Sequence, residues 1–193
     1  MAVSSHLVPL GTPAPDFALP SVAGPEVKLT DISAPALLVV FLSNHCPYVR
    51  HIESALGAFT AEYAGKGLAT VAISSNDVVN YPDDDVPGLA AQVERTGFTF
   101  PYLVDSSQEV AKAYAAACTP DFFLFDGQRR LVYRGAFDES RPRNDLPVTG
   151  ELLRDAADRV LRGAAVPEPH VPSMGCGIKW REGNEPEPVT FLG

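Results

Sequence analysis

The chain has 193 residues, of which 46% are hydrophobic and 20% charged, and its formal net charge is −9. This length favours a single domain, and this composition is typical of folded globular proteins rather than disordered ones. An excess of carboxylates repels phosphate backbones and anionic lipid, so we expect neither a nucleic acid nor a membrane as a partner.

No apolar run reaches the roughly 18 residues of a membrane span, and residues 1–11 lack the basic start of a signal peptide. We therefore expect a cytoplasmic protein. Thiols stay reduced there, so three cysteines predict reactive or buried thiols rather than a disulfide framework. The acidic run Asp83–Asp85 is interpreted as a solvated loop, because it lacks the glycine and terminal glutamate of a calcium loop.

The first half of the chain predicts a right-handed βαβ unit after a short edge hairpin within residues 17–29. Ala36–Leu42 is continuously apolar and is typical of a strand buried on both faces. Pro47 suits the first turn of a helix that bears one apolar stripe. That stripe consists of Val49, Ile52, Leu56, Phe59 and Tyr63. Leu68–Ile73 is the second strand.

The second half predicts further helices and a β-hairpin whose turn is Asp126-Gly127. The predicted helices are Leu89–Thr96, Gln108–Ala117 and Glu151–Arg162, and the predicted strands are Phe100–Val104, Phe122–Phe125 and Leu131–Tyr133. Together these elements predict an α/β fold, with a mixed central sheet flanked by helices. We expect one domain with its core at about residues 11–163 and a wrapping tail at 164–193.

Cys46 lies where the central strand meets the helix. Unpaired N–H groups and the helix dipole stabilise an anion at this point, so the thiolate is favoured. Thiolate is the nucleophile in disulfide exchange and in peroxide reduction. Arg50 lies four residues on, near the same helix face. The alternative is a buried structural cysteine, which the strand–Cys-Pro–helix placement disfavours.

A metal site at His45, Cys46 and His51 is a further alternative, but no firm fourth ligand is present. Five helical steps also turn His51 well away from Cys46. We therefore expect no metal, and we interpret His51 as a surface residue. Pro120 opens a strand of the hairpin, where proline is rare. A cis bond after Thr119 would account for it, and this is the prediction; a trans proline at the start of a strand is the alternative.

Four segments resemble the peroxiredoxin-like redoxin group of the alkyl hydroperoxide reductase and thiol-specific antioxidant superfamily. They are Ser-Asn-His-Cys-Pro-Tyr-Val (43–49), the segment 117–126 with Ala-Cys-Thr-Pro-Asp, Ser-Arg-Pro (140–142) and Pro-Ser-Met-Gly-Cys-Gly-Ile-Lys-Trp (172–180). The resemblance implies a thioredoxin-like fold. The chain departs from thioredoxin at Val49, which replaces the second cysteine of Cys-x-x-Cys, and it lacks the Pro-x-x-x-Thr-x-x-Cys motif of true peroxiredoxins around Cys46.

The resemblance implies a thiol oxidoreductase or antioxidant protein that acts through Cys46. It needs no cofactor, and a protein or low-molecular-weight thiol supplies the electrons. The residues expected to contact the substrate are Asn44, Pro47, Thr119 and Pro120, and Thr119 would offer backbone pairing to an extended substrate. A thiol-dependent peroxidase using Cys46 and a non-enzymatic redox-sensing or binding module remain alternatives.

The tail carries a candidate partner for Cys46. We expect Gly175-Cys176-Gly177 to fold back over the domain, held by burial of Met174, Ile178 and Trp180. Cys118 is the competing partner, because it lies two residues before Pro120. A third alternative is that Cys46 has no partner within the chain.

Overall fold

The computed structural model describes residues 2–187. Its strands are β1 (Ala2–Ser4), β2 (Ala18–Pro20), β3 (Glu26–Lys28), β4 (Ala36–Phe41), β5 (Leu68–Ser74), β6 (Tyr102–Val104), β7 (Cys118–Thr119), β8 (Asp121–Phe125), β9 (Leu131–Gly135) and β10 (Met174–Gly177). Its α-helices are α1 (Pro47–Ala64), α2 (Val86–Thr96), α3 (Glu109–Ala113) and α4 (Glu151–Leu161). No helix among these residues is long and apolar enough to cross a membrane.

The central sheet has five strands in the order β6–β5–β4–β8–β9. β4 is its middle strand, and all six of its residues are buried, as the continuous apolar run predicts. It pairs in parallel with β5 and antiparallel with β8, so the sheet is mixed. The β8–β9 hairpin also forms as predicted.

Helices cover one face of this sheet. The predicted apolar stripe of α1 is buried in full, and it packs with Leu153 and Ala156 of α4. Burial of each large apolar side chain contributes about 1.5–3 kcal/mol, which fixes α1 against the sheet. The opposite face is covered by α3, by the hairpin of β2 and β3, and by tail residues Ile178 and Trp180. The expected α/β architecture with a thioredoxin-like mixed sheet is confirmed.

α3 is shorter than predicted. It ends at Ala113, whereas the sequence predicts a helix to Ala117. Ala115 has a φ of 51°, in the left-handed region, so the helix cannot continue through it. The turn after α3 instead leads directly into β7, two residues before Pro120.

A second, three-stranded sheet joins the first and last strands of the described residues in the order β1–β10–β7. β10 is the middle strand and pairs antiparallel with both neighbours. Buried Gln108 secures the segment after β10, because its amide donates to the carbonyl oxygen of Lys179 at 2.9 Å and accepts from the backbone N–H of Arg181 at 3.0 Å. The tail therefore wraps over the domain. Ile178 anchors it as expected, but Met174 is exposed.

Candidate functional site

Cys46 occupies the junction between β4 and α1, as the N-cap residue of the helix. Its carbonyl oxygen accepts the first helical hydrogen bond, from Arg50, at 3.0 Å. The thiol is fully buried, and its Sγ donates to the carbonyl oxygen of Thr119 at 3.0 Å. The sulfur thus lies between a helix N-terminus and the strand that precedes Pro120.

Cys176 lies beside this thiol. In β10 it is directly opposite Thr119, the residue whose carbonyl oxygen binds Cys46. Burial raises the pKa of Cys176 to about 11, and the hydrogen bond with Cys46 and the charge of that thiol add to the rise. Cys176 is only half-buried, whereas Cys46 is inaccessible. All three cysteines are free thiols in this structure.

Gly175 is the reason that β10 reaches this position. A Cβ atom at residue 175 would lie 1.9 Å from the carbonyl oxygen of Thr119 and 2.6 Å from its carbonyl carbon. Only glycine permits the two backbones to approach this closely. At Gly177 the nearest atom to such a Cβ would be a Val3 methyl group at 3.3 Å. The close approach predicted for this Gly-Cys-Gly segment is therefore concentrated at Gly175.

The backbone edge of Thr119 is already occupied. The peptide bond between Thr119 and Pro120 is cis, and β7 pairs with β10. The expectation that Thr119 offers backbone pairing to an extended substrate does not hold in this structure, because the protein's own tail takes that edge. Pro47 lies in the wall of an open groove beside Cys176.

Cys118 is a separate, buried thiol. Its Sγ donates to the carbonyl oxygen of Pro120 at 3.6 Å, and burial together with the neighbouring Asp121 carboxylate raises the pKa of Cys118 well above its usual range. Neighbouring residues of a strand point to opposite faces, so Cys118 faces away from the side on which Thr119 lies opposite Cys176. The geometry therefore brings Cys176, rather than Cys118, to Cys46.

Asp84 anchors the loop that carries Cys46. The interpretation of Asp83–Asp85 as a solvated loop is wrong for Asp84, which is 1% exposed. Its carboxylate accepts from the Ser43 hydroxyl at 2.9 Å and from the backbone N–H of Asn44 at 2.6 Å. Burial raises the pKa of Asp84, but hydrogen bonds from His45, Asn76 and Ser43 outweigh burial and leave it below the usual range.

His45 adjoins Cys46 and is held on both sides. Its Nδ1 atom lies 3.0 Å from the Asp84 carboxylate, and its ring stacks on Tyr81 with centroids 5.4 Å apart. The carboxylate thus fixes the orientation of the imidazole that precedes Cys46. Sequence reasoning missed Asp84 because Ser43, Asn44 and His45, which it holds, lie about 40 positions away along the chain.

Asn44 is buried in the loop before α1, and its contact with substrate stays a prediction. Its side-chain amide donates to the carbonyl oxygens of Asp83 and Gly88 at 2.8 and 3.0 Å, and its side-chain oxygen accepts from Arg95 at 3.0 Å. Arg50 also binds this residue: its Nε donates to the Asn44 carbonyl oxygen at 2.8 Å. These bonds hold the loop in front of α1.

Asp121 is a buried carboxylate that the sequence analysis did not single out. It follows Pro120 in β8 and is opposite Phe41 of β4. One oxygen accepts from the backbone N–H of Ala117 at 3.0 Å, and the other has no partner of good hydrogen-bond geometry within residues 2–187. Burial raises the pKa of Asp121 to about 7, against the opposing effect of backbone N–H groups. The one available signal was a carboxylate opening an otherwise apolar run.

His51 is not a simple surface residue. It is half-buried, and its Nε2 atom lies 3.1 Å from the Ser140 hydroxyl, which in turn donates to Asp138. Within residues 2–187 no group of three or more histidine, cysteine or acidic side chains is arranged to hold a metal ion.

Comparison with known families now places the chain. Residues 10–134 match the family model described as AhpC/TSA family. The chain belongs to the AhpC/TSA family. The matched residues include β4, α1 and Cys46 and extend through β8, but they end before the strand that carries Cys176.

The proteins similar to this chain include some named as thiol-disulfide oxidoreductases or interchange proteins. It is 29% identical over 119 residues to thiol-disulfide oxidoreductase ResA of Geobacillus thermodenitrificans, covering 62% of this chain and 64% of that protein. A hypothetical protein from Sinorhizobium meliloti 1021 is 52% identical, with a TM-score of 0.92 and coverage of 93% and 99%. A putative thiol:disulfide interchange protein DsbE from Chlorobium tepidum shares the fold, with a TM-score of 0.64, 23% identity and coverage of 80% and 99%. The chain spans under two thirds of the length of this ResA.

Proposed function

We propose that the protein is a thiol-disulfide oxidoreductase whose redox pair is Cys46 and Cys176. One observation carries this proposal: the tail strand places Cys176 directly opposite Thr119, whose carbonyl oxygen binds the Cys46 thiol. The similarity to ResA supports the reaction class. The second cysteine of the pair then comes from β10 rather than from the helix, where Val49 stands.

The proposed reaction is an exchange of two electrons and two protons. The thiols of Cys46 and Cys176 lose them and join as a disulfide, while a substrate disulfide gains them and separates into two thiols. A partner thiol then reduces the Cys46–Cys176 disulfide back to two thiols, so no bound cofactor is required. Cys46 suits the leaving position, because it lies behind the half-buried Cys176 sulfur, at the junction of β4 and α1.

The surrounding residues position this pair. Gly175 allows β10 to approach, the segment Thr119–Pro120 supplies the carbonyl oxygen that orients Cys46, and Asp84 holds the loop before the thiol. The half-buried position of Cys176 leaves one sulfur of the pair open to an incoming sulfur.

Oxidation by a neutral disulfide tests the proposal. Reduced protein is treated with bis(2-hydroxyethyl) disulfide, quenched with acid and mapped by mass spectrometry without reduction. We expect a peptide that links Cys46 to Cys176, both in the native protein and in the matched Cys118→Ala control. Cys46→Ala should stop at a mixed disulfide on Cys176, and Cys176→Ala should form no disulfide within the chain. A Cys46–Cys118 peptide, or only intermolecular adducts of Cys46, would contradict the pair.

The same preparation separates the alternatives. Turnover of hydrogen peroxide with a thiol donor, without turnover of the disulfide, would identify a peroxidase. Oxidation of Cys46 without turnover of either oxidant would identify a redox-sensing module.

A further inference from the structure

An open groove lies beside the half-buried thiol of the tail strand. Its volume is about 580 Å³, which falls within the roughly 300–1,000 Å³ typical of small-molecule sites. The start of α1 forms one wall with Pro47 and Tyr48, and the loop after β9 forms another with Arg141 and Arg143. Cys176 lines the same groove, so a bound molecule would touch its sulfur.

The groove is positively charged in a protein whose net charge is −9. Arg141 and Arg143 are its charged lining residues. Carbonyl oxygens hold the Arg141 guanidinium, those of Asp138 at 2.9 Å and of Ser140 at 2.6 Å, and they orient it without neutralising it. Within residues 2–187 neither arginine forms an ion pair with a carboxylate. The groove therefore suits an anion.

An extended protein substrate is disfavoured at this centre. Such a substrate would pair along the edge of Thr119, and β10 already occupies that edge. A small molecule in the groove reaches Cys176 without displacing any strand. Cys46 lies behind it, fully buried and bound to the Thr119 carbonyl oxygen.

We infer that this groove binds a low-molecular-weight thiol bearing carboxylates, and that its sulfur joins Cys176 rather than Cys46. The inference rests on the proposed function and adds the class of its second substrate, the partner thiol that restores the dithiol. The carboxylates bind Arg141 and Arg143 through charge-assisted hydrogen bonds. This contact places the substrate thiolate against the accessible sulfur of the oxidised pair.

The exchange proceeds in two balanced steps. The substrate thiolate attacks Sγ of Cys176 in the Cys46–Cys176 disulfide; a new S–S bond forms, and Cys46 departs as a thiolate at the helix N-terminus. A second substrate thiolate attacks the substrate sulfur of this mixed disulfide and releases Cys176 as a thiolate. Two substrate thiols are thereby oxidised to one disulfide, and the protein disulfide is reduced to two thiols.

Three small thiols of different charge test the inference on the oxidised full-length protein. Glutathione carries a net negative charge, 2-mercaptoethanol is neutral and cysteamine is positive. The rate constant for reduction is measured with each and divided by the rate constant of the same thiol with a neutral aromatic disulfide, which removes differences in intrinsic reactivity. We expect the corrected rate to be highest for glutathione and lowest for cysteamine.

Arginine variants locate the effect. In Arg141→Gln/Arg143→Glu, the ratio of the glutathione rate to the 2-mercaptoethanol rate should fall about tenfold or more, as expected when charge-assisted contacts are lost. The ratio divides out any general loss of folded protein. Arg162→Glu, which changes the charge of an exposed residue outside the groove, should leave the ratio unchanged. Acid-quenched mapping should find the glutathione adduct on Cys176.

The outcomes separate the two proposals. Equal corrected rates for the three thiols, an unchanged ratio in the double variant, or an adduct on Cys46 would overturn the groove assignment while leaving the redox pair intact. If none of the thiols reduces a Cys46–Cys176 disulfide, the proposed function itself fails.

Discussion

Adding one methyl group at Gly175 should separate the two redox thiols. The Cβ atom of Gly175→Ala would lie 1.9 Å from the carbonyl oxygen of Thr119, whereas Cβ atoms essentially never approach closer than 3.0 Å. Because the obstacle is backbone of the neighbouring strand, no side-chain rotation relieves the clash. β10 must therefore move away from β7 by about 1.1 Å, and Cys176 moves with it.

A displacement of this size has a large effect on ring closure. A misplacement of about 1 Å between reacting groups costs about 100-fold in rate. We therefore expect formation of the Cys46–Cys176 disulfide from the mixed disulfide to slow about 100-fold in Gly175→Ala. Overpacking of this kind destabilises a protein by about 1–3 kcal/mol, which leaves a typical domain folded.

The assay follows the closing step directly. Reduced protein is mixed with excess bis(2-hydroxyethyl) disulfide, quenched with acid at intervals and analysed by mass spectrometry, with circular dichroism to confirm that the variant is folded. Gly177→Ala is the matched control, since its added methyl group would meet a Val3 methyl at 3.3 Å and backbone no nearer than the Ala117 carbonyl oxygen at 4.0 Å. If Gly175→Ala closes the disulfide as fast as Gly177→Ala, the argument from close backbone approach is refuted.

Three further predictions concern the buried polar groups and the remaining thiol. Burial raises the pKa of Asp121 to about 7, so the free energy of unfolding of the unsubstituted protein falls as the pH rises above the unfolded-state pKa of this carboxyl group. Asp121→Asn lacks this ionisation, and between pH 5 and pH 8 its free energy of unfolding, measured with urea, should rise by about 3 kcal/mol relative to that of the unsubstituted protein. An equal response of both proteins to pH would contradict this. Asp84→Asn should lower the free energy of unfolding at pH 7 by about 2–4 kcal/mol. This deficit should shrink in acid, because the pKa of Asp84 is depressed and its stabilisation is lost as the pH falls; a deficit independent of pH would show that the Asp84 carboxylate does not stabilise the loop. Cys118 should react with iodoacetamide at pH 8 more slowly than Cys176, because burial keeps it inaccessible and protonated; faster labelling of Cys118 in pulse-labelling mass spectrometry would show that its burial is misassigned.

The sequence predicts those elements whose signals are local. β4 is recognised from six consecutive apolar residues, and α1 from a stripe at helical spacing that begins just after Pro47. The position of Cys46 follows from these two elements, because a junction between a strand and a helix needs no distant partner to be recognised. The same holds for the Asp126-Gly127 turn of the hairpin.

Features that depend on residues distant in the sequence are harder to predict. β10 has four residues, two of them glycines, and becomes a strand only because β1 and β7 lie on either side of it. The return of the tail was predicted from its apolar side chains, but its strand pairing was not. Asp84 looks like any other loop carboxylate until Ser43 and Asn44 are brought to it by the fold. Long-range pairing of this kind leaves no periodic pattern in the local sequence.

The three-stranded sheet couples the first strand of the chain to the strand that carries Cys176. β1 pairs with the outer edge of β10, with Ala2 directly opposite Cys176. A mechanical pull on the first few residues would therefore act on the strand that carries the accessible thiol, although more than 40 positions separate those residues from Cys46. An affinity tag or a fused domain placed just before β1 would therefore pull on the strand that carries Cys176.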